Sequence, residues 1–140
     1  MKNRVISGTA AIILGLFISL GPQLFFKLCP PKTDGTWMRC HWTGQAEIGA
    51  GFLVVVLGGA VLGCASTKVR LGLSIALCLS GILTLLFPST LIGGCMMETM
   101  PCRKAAFPGI YLCSLLTIAG AAMNSLYLFR QGKKERVCTP

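Results

Sequence analysis

Charge is what this sequence has least of. Only 12% of its 140 residues are Asp, Glu, Lys or Arg, and it holds four acids and a single histidine, His41. Soluble domains carry about a quarter of their residues as these four charged types. With so few proton-transferring groups, a general acid-base mechanism or a Ser-His-Asp triad has almost no parts to draw on. Also missing are the P-loop, the H-E-x-x-H zinc motif, the dinucleotide fingerprint and the G-x-S-x-G elbow. The formal charge of +9 comes from 13 Lys and Arg. No run of them is interleaved with stacking aromatics, so they do not read as a nucleic-acid groove. The absences point away from the familiar soluble enzymes and from nucleic acid as a partner.

What is present is apolar side chain, 54% of the residues. A chain this short has no interior large enough to hide that much Leu, Ile and Val, so much of it must face lipid. Crossing a hydrocarbon core about 30 Å thick takes roughly 20 helical residues. Four stretches are that long: residues 5–26, 45–66, 69–87 and 105–129. Helix is required because every backbone polar group must be satisfied within its own segment, and four spans cannot close a barrel. The expected fold is therefore an all-α integral membrane four-helix bundle, a single domain of two antiparallel transmembrane hairpins followed by a basic tail at residues 130–140. The first stretch is long for a cleaved signal peptide and is kept as a span.

Local residues refine this plan. Gly21-Pro22 should bend or end the first helix. Thr43 is placed to cap the second. The short link around Thr67 and Lys68 makes the second and third spans a tight hairpin. The two long loops, residues 27–44 and 88–104, then share one side. Lys2, Arg4, Lys68, Arg70, Arg130, Lys133, Lys134 and Arg136 fall on the side of the termini, against Lys27, Lys32, Arg39, Arg103 and Lys104 opposite. Eight against five puts both termini in the cytoplasm by the positive-inside rule. Gly59 and Gly63 form a small-xxx-small pair in the second span, expected to let that helix pack centrally against its neighbours within the chain.

Candidate chemistry gathers in the two long loops. Of eight cysteines, Cys64, Cys78 and Cys113 lie in spans and Cys138 in the tail, where a small apolar or unremarkable thiol is the simplest reading. Cys29, Cys40, Cys95 and Cys102 lie in the loops, where an oxidising space would convert them to disulfides, in any of three connectivities. A second reading uses soft ligands. Cys40 and His41, with Cys95, Met96, Met100 and Cys102, offer thiol, imidazole and thioether donors of the kind that select copper(I) and related ions. Their spacing matches no recurrent zinc site. A third reading, a redox-active dithiol, lacks the usual C-x-x-C pair. Structural disulfides with no cofactor lead the three. Glu47 is the one acid in a span, where a carboxylate is a functional candidate by default. It is expected a single turn inside the second helix, where the helix dipole favours it, so a structural ion pair is the leading reading. Arg103, Lys104 or His41 would be its ion-pair partner.

Two motifs, Trp37-Met-Arg-Cys-His-Trp-Thr-Gly-Gln-Ala-Glu47 and Leu91-Ile-Gly-Gly-Cys-Met96 with Met100-Pro-Cys102, resemble those of a bacterial four-span membrane family, domain of unknown function 4418. The resemblance covers nearly the whole chain. It implies a bacterial inner-membrane protein and, through an association with export-type ATP-driven transporters, an accessory role. The leading expectation is thus a non-enzymatic accessory or structural subunit of a transport or envelope complex, with the lipid bilayer and a transporter or other membrane subunit as partners. A soft-metal binding or transport protein and a membrane thiol oxidoreductase are the alternatives.

Overall fold

In a computed structural model the chain is described at residues 2–24, 35–37, 39–94, 104 and 106–137. Four helices account for nearly all of it: α1 (Lys2–Leu24), α2 (Arg39–Gly63), α3 (Thr67–Leu86) and α4 (Phe107–Val137). A π-helical turn, Phe87–Leu91, extends α3. All four are long and apolar enough to cross a membrane, at Asn3–Gly21, Arg39–Gly63, Thr67–Leu91 and Phe107–Gly132. Between 28% and 33% of each span is buried inside the bundle. The rest is Ile6, Phe17, Phe52, Leu79, Met123, Leu126, Phe129 and their like, exposed to the surroundings. Water would not tolerate that surface; hydrocarbon does. The chain is an all-α, four-span membrane protein.

The bundle is a ring. α1 packs chiefly on α2 and α3 on α4, while α2 against α3 and α1 against α4 make the lesser seams. α2 is therefore one member of the ring and not its centre, contrary to the sequence expectation. The core where the helices meet is Ala11, Val54, Val61, Leu77 and Ala121, with Leu57, Leu73 and Cys78 packed on it.

The closest approach is between α1 and α2. A Cβ added to Gly51 would lie 2.6 Å from the Ser19 nitrogen and 2.8 Å from the Gly15 carbonyl. One added to Gly58 would meet Ala11 at 3.0 Å and the Gly8 carbonyl at 3.1 Å. Gly8 and Gly15 on α1 thus face Gly58 and Gly51 on α2, the antiparallel match of two glycine pairs spaced a heptad apart. Without side chains the backbones touch, as small-residue interfaces in lipid allow. The expected packing pair, Gly59 and Gly63, is corrected here. A Cβ on either meets nothing within 4 Å, because both glycines lie on the outward face of α2.

Helix ends also differ from the sequence reading. α2 begins at Arg39, six residues before the expected start, and Thr43 is inside it and not its cap. Pro88 does not end the third span. Proline lacks the N–H that would bond four residues back, and the chain widens instead into the π turn, with the Ile92 nitrogen bonding the Phe87 carbonyl at 3.1 Å. α4 continues through Arg130 to Val137, so this stretch of the expected tail is helix. The link from α2 to α3 is residues 64–66.

Candidate functional site

One face of α2 carries the buried polar groups of the loop end. Cys40, Thr43, Gly44 and Glu47 recur at the spacing that keeps residues on one side of a helix, and all four are buried. Thr43 explains how this end is held. Its hydroxyl lies 2.7 Å from the Gly93 carbonyl and 3.3 Å from the Arg39 carbonyl, so it fastens α2 to the segment following the π turn. Gly93 has φ +76°, a backbone conformation that glycine adopts without steric cost.

Glu47 lies beneath that clamp. It is 0% exposed, and neither carboxylate oxygen has a hydrogen-bond partner among the described residues. Since α2 starts at Arg39, Glu47 is more than two turns inside the helix, about 12 Å along the axis at about 1.5 Å per residue. It is out of reach of the free N–H groups of the first turn that would stabilise a terminal acid. Of its expected partners, Lys104 is exposed, His41 is engaged elsewhere, and Arg103 lies outside the described residues.

His41 is held by tryptophans. Its ring stacks on Trp37 with centroids 4.1 Å apart and 24° between planes, and meets Trp42 edge-on at 5.8 Å. Trp37 and Trp42 are both exposed, a small aromatic cluster of the kind that anchors a span at the membrane interface. Cys40 and His41 are successive helical residues, so their side chains diverge by about 100°, Cys40 into the bundle and His41 toward the tryptophans. Among the described residues no group of three His, Cys, Asp or Glu converges as a metal site would require. The remaining sequence candidates, Cys29, Cys95, Met96, Met100 and Cys102, lie outside the described residues.

The opposite end holds a polar relay that sequence reasoning did not anticipate. The Asn3 amide donates to the Asn124 side-chain oxygen at 3.0 Å, and the Asn124 amide donates to the Ser74 hydroxyl at 2.7 Å. Ser74 donates in turn to the Arg70 carbonyl at 2.9 Å. The relay joins α1, α4 and α3. Nearer the middle, the hydroxyls of Thr84 and Ser114 are 2.8 Å apart and join α3 to α4. A buried Asn inside an apolar span was the available signal, since such groups bond across helices. Between α1 and α4 runs a groove of about 350 Å³, walled by Ala10, Ala11, Leu14, Leu116, Gly120 and Ala121.

The outward face of α2 is the last feature. Trp42, Gln45, Gly49, Phe52, Val56, Gly59 and Gly63 are exposed and follow one another at alternating steps of three and four. That is the repeat by which a second helix is accommodated along a shallow seam. Three glycines flatten it, and Gln45 places an amide on it.

Four lipid-exposed helices around a small glycine-rich core define a multi-pass membrane protein. The chain belongs to the family described as Domain of unknown function (DUF4418), whose model matches residues 11–128. No curated protein and no solved structure matches it.

Proposed function

We propose that the protein is a non-enzymatic accessory subunit of a membrane transport or envelope complex, docking on a transmembrane helix of another protein through the outward face of α2. The observation carrying this reading is the position of Gly49, Gly59 and Gly63. They contribute nothing to the bundle's own packing, since a Cβ on any of them meets open space. Glycine in a helix interior costs about 1 kcal/mol relative to alanine. Three of them aligned on a lipid-facing stripe are accounted for by a neighbour whose backbone approaches closely. Gln45 supports the same neighbour, because an amide in lipid is stabilised by an interhelical hydrogen bond. The scarcity of acids and the single histidine support the non-enzymatic part.

In this reading both termini and residues 64–66 are cytoplasmic, on the side with eight of the thirteen basic residues. The long loops and the Arg39 end of α2 face the extracytoplasmic space of a bacterial inner membrane, where Cys29, Cys95 and Cys102 of the loops and Cys40 of α2 pair as disulfides and stiffen that end. A photo-crosslinking residue in place of Val56, irradiated in living cells, tests the docking. The expected product joins this chain to a different membrane protein, is lost with Gly59→Leu or Gly63→Leu, and does not form from position 126 on α4. A product with the mass of two copies of this chain, or one indifferent to both leucines, would overturn the reading.

A further inference from the structure

Glu47 stands apart from the α2 docking face, since it points inward while that face points out. An ionised carboxylate buried in a membrane domain is costly unless a counter-charge or hydrogen-bond donors compensate it. No donor reaches Glu47 among the described residues. Its helix neighbours supply no counter-charge either. The charges of α1 are Lys2 and Arg4, and those of α3 are Lys68 and Arg70, all at the far end of the bundle. The π turn, Phe87–Leu91, carries none. α4 has none before Arg130, and its titratable groups toward the loop end are Tyr111, engaged edge-on by Phe107, and the partly buried thiol of Cys113. On α2 itself Arg39, at the helix start, is exposed, and the nearest titratable side chains are Cys40, on the same face two turns earlier, and His41, which faces the tryptophans. Lys104 is exposed. The charged loop residues Lys27, Lys32, Asp34, Glu98 and Arg103 lie outside the described residues.

We infer that Glu47 is a proton-binding site of the membrane domain, loaded and emptied from the loop end of the bundle. One carboxylate oxygen takes a proton delivered by water from that side and becomes an uncharged carboxyl; release reverses the step, and no other bond changes. A metal ion is the poorer occupant. Hard cations need six or so oxygens, most helix carbonyls are already committed to their own hydrogen bonds, and no second acid or other ligating cluster stands beside Glu47 among the described residues. The loop end is the route because Glu47 lies about 12 Å from the Arg39 end of α2 and about 24 Å from the Gly63 end, at about 1.5 Å per residue.

The sequence has four acids, Asp34, Glu47, Glu98 and Glu135, so a carbodiimide label can be assigned by peptide mass. The full chain in liposomes is treated with dicyclohexylcarbodiimide, an apolar reagent that adds to protonated carboxyls and leaves a stable acylurea. The expected result is labelling at Glu47 ahead of the other three acids. It should fall about tenfold per pH unit once the pH exceeds the site's midpoint, following the protonated fraction. A water-soluble carbodiimide should reverse the preference. Infrared spectra provide a second readout. A protonated-carboxyl carbonyl stretch, present at low pH and lost on raising the pH, should be missing from Glu47→Gln, while the variant's thermal midpoint stays at the wild-type value. Three results would overturn the inference: no Glu47 label and no such stretch at any pH; protection of Glu47 by sodium or copper at fixed pH, which would make the occupant a metal; or a large drop in the thermal midpoint of Glu47→Gln, as expected when an ion pair is severed.

Discussion

The two sets of glycines on α2 differ in what a single methyl group would meet, and this makes the packing testable. Consider Gly51→Ala and Gly59→Ala. Both replace glycine in a helix interior and share the same intrinsic gain, about 1 kcal/mol in favour of alanine. At position 59 nothing opposes it, for the new Cβ has no neighbour within 4 Å. At position 51 the new Cβ lands 2.6 Å from the Ser19 nitrogen, 2.8 Å from the Gly15 carbonyl and 2.8 Å from the Ser19 Cβ. Two of those three atoms are backbone, so no rotamer change relieves the overlap. Carbon atoms in contact sit about 3.5–4.0 Å apart, so α1 and α2 must separate by roughly 1 Å, which forfeits dispersion along the seam. Overpacking of this kind costs about 1–3 kcal/mol. The two variants should therefore differ by about 1–3 kcal/mol, with Gly51→Ala the less stable and Gly59→Ala at or above wild type. Unfolding in mixed micelles, followed by circular dichroism against denaturing detergent, measures the difference. Equal stabilities, or a Gly59→Ala variant that is the weaker, would refute the α1–α2 register described above.

Other parts of the bundle make separate demands. Asn124→Leu removes the bridge between Asn3 and Ser74 and should lower unfolding stability by about 1–2 kcal/mol, as interhelical hydrogen bonds in membranes are individually modest. An unchanged transition would show that the relay adds nothing. Gly93→Ala forces a Cβ into a left-handed conformation and should cost about 1–2 kcal/mol; Thr43→Val should also weaken the loop end, by removing the bond to the Gly93 carbonyl. Protein purified without reductant and then denatured should show four reactive thiols out of eight, those of Cys64, Cys78, Cys113 and Cys138, with no stoichiometric metal. Eight thiols with about one bound copper or zinc, lost on Cys40→Ser or Cys102→Ser, would promote the soft-metal reading instead.

The spans were legible because their signal is summed over twenty residues, and no single side chain can hide it. Register was not. A small-xxx-small pair says that a helix has a flat stripe, but not which neighbour lies on it, and α2 has two such stripes. Gly59 and Gly63 drew notice as a local pair, whereas Gly51 and Gly58 are a heptad apart and gain meaning only beside Gly8 and Gly15, spaced alike on α1. Matching periods on adjacent antiparallel spans was the usable signal. The start of α2 misled for a different reason. Arg39, Cys40, His41, Trp42 and Thr43 are polar or aromatic and read as loop, with Thr43 as a cap, yet at an interface a helix can continue outward with tryptophans at its flank. Six residues of extra helix amount to about 9 Å, and that length changes the chemistry assigned to Glu47. One turn inside a helix that began at residue 45, the carboxylate would be an ordinary terminal acid held by the dipole. More than two turns inside a helix that begins at Arg39, fully buried and without a donor, it has lost that support. A boundary error that barely affects the fold thus decides whether the one acid of the membrane domain is structural or functional, and carbodiimide labelling at Glu47 reads out that difference.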